Sequence, residues 1–121
     1  MQLREVIVLL GGEVIWGESL VGGISIDRCY AADLMSDVLA FSQPGALLIT
    51  GLANIQSTHT ADVADLTAIL YVAGKRPAQQ VCDLAREKGI PLLTTALSMF
   101  DACGILHRAG LRGAHHRSVP N

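Results

Sequence analysis

The sequence predicts an α/β fold, a single-layer, mostly parallel β-sheet of about 4–5 strands flanked by about five helices. Three observations lead there. The runs Ala46-Leu47-Leu48-Ile49-Thr50 and Ala68-Ile69-Leu70-Tyr71-Val72-Ala73 are almost wholly apolar, as strands buried on both faces are. Segments with apolar residues at helical spacing stand between such runs. Glycines at the ends of the runs (Gly51, Gly74, Gly89) leave only short connections, which suits helices crossing between parallel strands.

Each element has its own signal. Leu3, Val6, Ile7 and Leu10 form a stripe at helical spacing, and Gly11-Gly12 would end that helix. The β-branched content of the same stretch also permits a strand. Glu13 to Trp16 is strand-like, and Gly17 to Gly23 reads as a connecting loop. Ile24 to Tyr30 alternates apolar and polar residues, the mark of a strand. Asp33 precedes an apolar run from Leu34 to Phe41, read as a helix with Asp33 near its N-cap. Pro44-Gly45 breaks it, and Ala46 to Thr50 is a buried strand turned by Gly51. Ile55, His59 and Val63, with Leu66 beyond them, predict a helix with this stripe inward. Ala68 to Ala73 is another buried strand. Pro77 starts a helix in which Val81, Leu84 and Ala85 share a face, and Gly89 caps it. Ile90 to Thr95 is a short strand, and a last helix runs from about Leu97 to Ala109, closed by Gly110. The domain is expected to span residues 1–111, with 112–121 a flexible C-terminal tail.

Composition narrows the function. The chain has 121 residues, half of them apolar and 17% charged, where about 25% charged is usual. So apolar a small chain buries nearly all it can or shares a face with a partner. A homodimer is the expectation, with a dense monomeric core as the alternative. Net charge is −2, no basic stripe is present, and there are one Trp, two Tyr and two Phe. Nucleic acid is therefore not an expected partner. No apolar run approaches the roughly 20 residues needed to cross a bilayer, so no membrane partner is expected either. The start, Met1 to Glu5, does not read as a signal peptide. Cys29, Cys82 and Cys103 have neither disulfide nor metal-ligand spacing and read as reduced cysteines of a cytoplasmic protein.

Several segments taken together resemble a known family. They are Ala32-Asp33-Leu34-Met35-Ser36-Asp37-Val38-Leu39-Ala40, the strand-turn Leu48-Ile49-Thr50-Gly51, and Ala68 to Gly74. After a helix come Lys88-Gly89-Ile90-Pro91-Leu92-Leu93-Thr94-Thr95 and a closing helix with Met99-Phe100-Asp101. Their order and spacing resemble the DRTGG domain family in its stand-alone form. That form is similar to the N-terminal domain of HPr kinase/phosphorylase and to the DRTGG insert of CBS-domain pyrophosphatases. The family takes its name from Asp-Arg after the first buried strand and Thr-Gly-Gly after the second. Here those places read Gly51-Leu52-Ala53 and Val72-Ala73-Gly74, so only Gly51 and Gly74 match, as glycines at strand ends. The resemblance implies a regulatory module of the kind attached to phosphate-metabolising enzymes.

No phosphate loop of the GxxxxGK[ST] type is present. Gly74-Lys75 is followed by Arg76-Pro77, and proline removes a donor that such a loop needs. Open α/β sheets hold ligands at the C-terminal ends of their strands. Asp33, Ser36 and Asp37 cluster at one such end and can hold a ligand; equally, Asp33 caps a helix and Asp37 favours its dipole. Thr50, Gly51, Asn54, Gly74 and Thr95 complete a candidate rim where helix N-termini can receive an anion; taken singly, each fits ordinary capping. His59 reads as a core or interface residue. Cys103 and His107 stand one turn apart, but two ligands make no structural zinc site. His115 and His116 read as solvated tail residues. No catalytic residue, metal or cofactor is expected.

The expected function is non-catalytic: a homodimeric regulatory module that senses a small ligand, with nucleotides among the candidates, and reports to a partner enzyme or signalling protein. The alternative is a structural adaptor that dimerises or docks on an enzyme without binding a ligand.

Overall fold

The computed structural model of the chain describes residues 1–115. In chain order the elements are α1 (Leu3–Leu9), β1 (Glu13–Trp16), α2 (Glu18–Val21), β2 (Arg28–Ala31), α3 (Met35–Phe41), β3 (Leu47–Thr50), α4 (Ile55–Val63), β4 (Ala68–Tyr71), α5 (Gln79–Lys88), β5 (Leu92–Thr94), α6 (Met99–Arg108) and β6 (Arg112–Gly113). One six-stranded sheet has the order β1-β5-β4-β3-β2-β6. β2, β3, β4, β5 and β6 pair in parallel, and β1 runs antiparallel to β5. The predicted α/β class holds, with a further strand and a further short helix.

The layering follows from strand order. β2, β3, β4 and β5 step across the sheet in one direction, so right-handed crossovers put α3, α4 and α5 on one face. The core there is built from Val38, Leu48, Ile69, Tyr71, Val81 and Ala85, among others. β6 returns to the far edge beside β2, and α6 therefore crosses the opposite face. It shares that face with α1, and their core holds Leu3, Val6, Ile49, Leu70, Leu93 and Leu106. The two-residue alternation of β3 and β4 divides their side chains between the clusters: Leu47, Ile49, Ala68 and Leu70 face one, Leu48, Ile69 and Tyr71 the other. Every residue of both strands is buried, which is why they read as continuous apolar runs.

The structure settles one open expectation and corrects others. The first segment is a helix: its stripe Leu3, Val6, Ile7 and Leu10 is buried, and Gly11 turns the chain at φ 58. The glycine-rich stretch after β1 holds a short helix, α2, because Val21 is drawn fully into the core. The predicted strand Ile24–Tyr30 pairs with the sheet only from Arg28. Before that the chain lies against the N-terminus, with Leu3 N donating to Ile24 O at 3.0 Å and Ile26 N to Met1 O at 2.7 Å.

The inward face of α4 is not the predicted stripe. Ser57, Thr58, Thr60 and Ala61 are buried, whereas His59 and Val63 are exposed. Tyr71, fully buried, fills the space beneath, and its hydroxyl lies 3.2 Å from Ser57 Oγ. A buried phenol needs a polar partner, and a small hydroxyl residue supplies one without crowding. Burial pushes the Tyr71 phenol upward, and the hydrogen bond to Ser57 partly offsets this.

The expected tail begins inside the domain. Arg112 N donates to Asp27 O at 3.1 Å and Ala114 N to Cys29 O at 2.8 Å, and Ala114 is buried. An uncovered β2 edge would leave these backbone groups without partners. His115 stacks on Phe41 at 5.0 Å and lies 6.0 Å from the Tyr30 ring. Residues 116–121, His116 included, lie outside the described residues.

After β4 the backbone enters the left-handed region at Ala73 (φ 56) and Gly74 (φ 68). Ala73 N donates to Leu97 O at 2.7 Å and Gly74 N to Thr95 O at 2.8 Å, which holds the turn in place. Alanine pays about 1–2 kcal/mol there that glycine does not. Ala73→Gly is expected to raise thermal stability by up to about 1 kcal/mol after the extra freedom of the unfolded glycine is counted. Thermal unfolding should show a rise of a few degrees; a lower midpoint would mean that Ala73 is not strained.

Candidate functional site

The parallel strands bring the segments after β2, β3, β4 and β5 to one edge of the sheet, as the predicted rim requires. Asp33 is the residue that organises it. Leu34, not Asp33, occupies the N-cap of α3, and no side chain caps that helix. The Asp33 carboxylate turns instead toward β3. Its Oδ1 accepts from Thr50 Oγ1 at 2.9 Å and from Gly51 N at 2.7 Å. Thr50 Oγ1 in turn accepts from Leu52 N at 3.1 Å. Charge-assisted bonds of this kind contribute about 1.5–3 kcal/mol, so the exits of two neighbouring strands are clipped together.

The other predicted residues fall into place around this clip. Asn54 caps α4, its Oδ1 accepting from Ser57 N at 3.2 Å. Thr95 is buried; it donates to Leu10 O at 2.8 Å and accepts from Leu97 N at 3.3 Å. Gly74 belongs to the left-handed turn that binds β4 to the segment after β5. Ser36 is exposed and Asp37 half-buried on α3; among the described residues neither joins the hydrogen bonds around Asp33. Partial burial, and then the charge of Asp37, push the Tyr30 phenol upward. At the next strand exit, Arg76 grips Glu13 through two contacts of 3.0 and 3.4 Å and holds its carboxyl below the ordinary range. The rim residues thus meet, but their polar atoms are largely spent on fixing loops.

A concavity that sequence reasoning missed lies elsewhere. A cleft of about 350 Å³ opens between α6, β2 and β6, on the face that α1 and α6 cover. Cys29, Ala31, Ile49, Cys103, Leu106 and Arg112 are part of its lining. Assigning residues from 112 onward to a tail concealed one of its walls. The spacing of Cys103, Leu106 and His107 on one helix was the available signal. Burial, with smaller contributions from Cys103 and Asp27, pushes the Cys29 thiol up to about 12. Burial raises Cys103 as well. Both are therefore neutral wall groups at neutral pH, not nucleophiles. Among the described residues no group of three or more His, Cys, Asp or Glu side chains could hold a metal ion.

No protein family's sequence profile matches the chain, and no curated protein sequence matches it. The fold is similar to a crystal structure of the CBS and DRTGG domains of the regulatory region of Clostridium perfringens pyrophosphatase, complexed with its activator diadenosine tetraphosphate. The TM-score is 0.69 at 17% sequence identity, over 87% of this chain and 45% of that one. The chain thus corresponds to less than half the length of that structure, and its fold is DRTGG-like.

The clip around Asp33 can be measured as a coupling. Asp33→Ala and Thr50→Val should each destabilise the domain by about 1–3 kcal/mol in urea unfolding. The double variant should lose at least about 0.5 kcal/mol less than the sum, because one bond is shared. Strict additivity would show that the two side chains do not act together.

Proposed function

We propose that this chain is a non-catalytic regulatory module that senses a small ligand of the nucleotide class and acts as a homodimer. The observation that carries the reading is the fold likeness, over 87% of the chain, to a regulatory region solved with a dinucleotide activator. The polar side chains of Asp33, Thr50 and Thr95 are committed to holding loops, which supports the non-catalytic part of the reading. Apolar side chains left in solvent support a shared face. Leu34 is 60% and Leu39 52% exposed on or beside α3. Half-buried unpaired thiols at Cys29, Cys82 and Cys103 favour a reducing, cytoplasmic setting. No helix of the described residues is long and apolar enough to cross a membrane.

The adaptor reading draws on two of the same observations. Polar rim atoms committed to loops and apolar residues left exposed are what a docking module without ligand would have. Its partner, an enzyme or signalling protein, would then cover the apolar face.

Thermal unfolding against mononucleotides, dinucleoside polyphosphates, inorganic phosphate and common metabolites separates the two. A ligand at about 100 times its Kd adds about 2.7 kcal/mol, a rise of several degrees. The sensing reading expects such a rise with a nucleotide, and sedimentation is expected to give twice the 12.8 kDa chain mass. A flat panel with a dimer intact would overturn sensing in favour of the adaptor.

A further inference from the structure

The face of the sheet that carries α3, α4 and α5 is left open at one side. α3 is the crossover between β2 and β3, so the helices of that face stop at β2 and β6 lies outside them. Side chains alternate along a strand. Tyr30 of β2 and Ala114 just after β6 both belong to the core on the α3 side. Arg28 and Arg112, each two residues earlier, therefore lie on that same face. The parallel register sets Arg28 directly beside Arg112, on strands about 4.8 Å apart. Arg28 is half-buried and Arg112 exposed.

Two like charges side by side on neighbouring strands repel and destabilise the sheet. The usual relief is missing. The ion pairs among the described residues engage Arg4, Arg76, Arg86 and Lys88, and neither Arg28 nor Arg112 has a carboxylate at that distance. Asp27 acts on Cys29, which faces the other side, and Asp37 of α3 acts on the Tyr30 phenol. Charge on an edge strand guards against strand pairing, but Arg28 stands on β2, one strand inside the edge.

The pair is also held in place. Arg28 Nη1 donates to Gly113 O at 3.1 Å, which ties one guanidinium across β6 and spends one of its several N–H donors. Arg112 N donates to Asp27 O at 3.1 Å. Three residues on, the His115 ring stacks on Phe41 of α3 at 5.0 Å and 13°. β6 is thus fastened on both sides of the Arg112 side chain. Guanidinium forks match the oxygens of a phosphoryl group, which accepts from two donors at once.

We propose that Arg28 and Arg112 together form a binding site for a phosphoryl group, on the α3 face where β6 pairs with β2. The site rests on the sensing reading for what carries that group, a nucleotide. Recognition of the phosphate then lies away from the Asp33–Thr50 rim and outside the cleft of α6. A bound dianion relieves the repulsion between the arginines, so occupancy tightens β6 on the sheet.

The test titrates the full chain with inorganic phosphate and, separately, with adenosine monophosphate, at an ionic strength held constant with chloride. Amide chemical shifts report the binding. Saturable shifts are expected at Arg28, Arg112 and Gly113. Arg112→Gln should weaken both ligands by about fivefold or more with circular dichroism unchanged, and Arg112→Lys should restore only part of the loss, because the charge returns without the fork. Arg108→Gln, on α6 at the opposite face, should leave binding unchanged. Arg112→Gln should also raise the melting temperature of the ligand-free protein, since it removes the repulsion; a lower midpoint would overturn the reading of Arg112 as a binding residue. Wild-type protein that gives no saturable response to either ligand would overturn the site. If adenosine monophosphate binds and Arg112→Gln and Arg28→Gln bind it as tightly as wild type, sensing stands and this site falls. If phosphate binds and is lost in Arg112→Gln, but the nucleotide binds no more tightly than phosphate, the site stands and nucleotide sensing falls.

Discussion

A parallel sheet exposes two apolar faces, and both must be covered. Here the covering is unequal. α3, α4 and α5 lie over one face, packed through Val38, Ala61, Val81 and Ala85. On the other, α1 and α6 must serve a sheet six strands wide. This inequality is set by topology: strands stepping in one direction place their crossover helices together, and one return crossover places the last helix opposite. The cleft beside β2 and β6 is where the thinner layer runs out. The apolar residues left exposed on α1, Val8 and Leu9, belong to that layer as well.

The same topology explains what the sequence disclosed. β3 and β4 are the central strands, buried throughout, so their apolar runs were unmistakable and their glycine exits marked a shared edge. α5 could be read as well, because Val81 and Ala85 turn inward at helical spacing and Gly89 ends the helix in the left-handed region at φ 70. α4 was misread because its neighbour is Tyr71. Beneath a buried phenol the inward face carries Ser57, Thr58 and Thr60, so polar residues point inward and an apolar-stripe search chose the wrong side. Asp33 was misread for a similar reason. A short acid before a helix looks like a cap, and only the pairing of β2 with β3 brings Thr50 and Gly51 close enough to take its carboxylate instead.

Tertiary pairing likewise hid the cleft. Arg112 and Gly113 look like polar tail residues, and their strand exists because β2 presents an unpaired edge at Asp27 and Cys29. Nothing local in the sequence announces a two-residue strand. The residues of the candidate rim stand at strand exits, but the use of their polar atoms was only partly legible. Spacing could place Thr50 and Thr95 at strand exits and offered Asn54 as a helix cap, which it is, yet it could not tell that Thr50 and Thr95 bind Asp33 and Leu10 O. Ala73 carries the same lesson: at φ 56 it occupies a glycine-favoured conformation, and the turn is held by its hydrogen bonds rather than by its residue type.

Amide chemical-shift mapping of the isotope-labelled chain during titration with diadenosine tetraphosphate, the activator of the similar regulatory region, tests the proposed sensing most directly. Sensing predicts saturable shifts confined to one region of the domain. A spectrum that stays unchanged across the titration would contradict it.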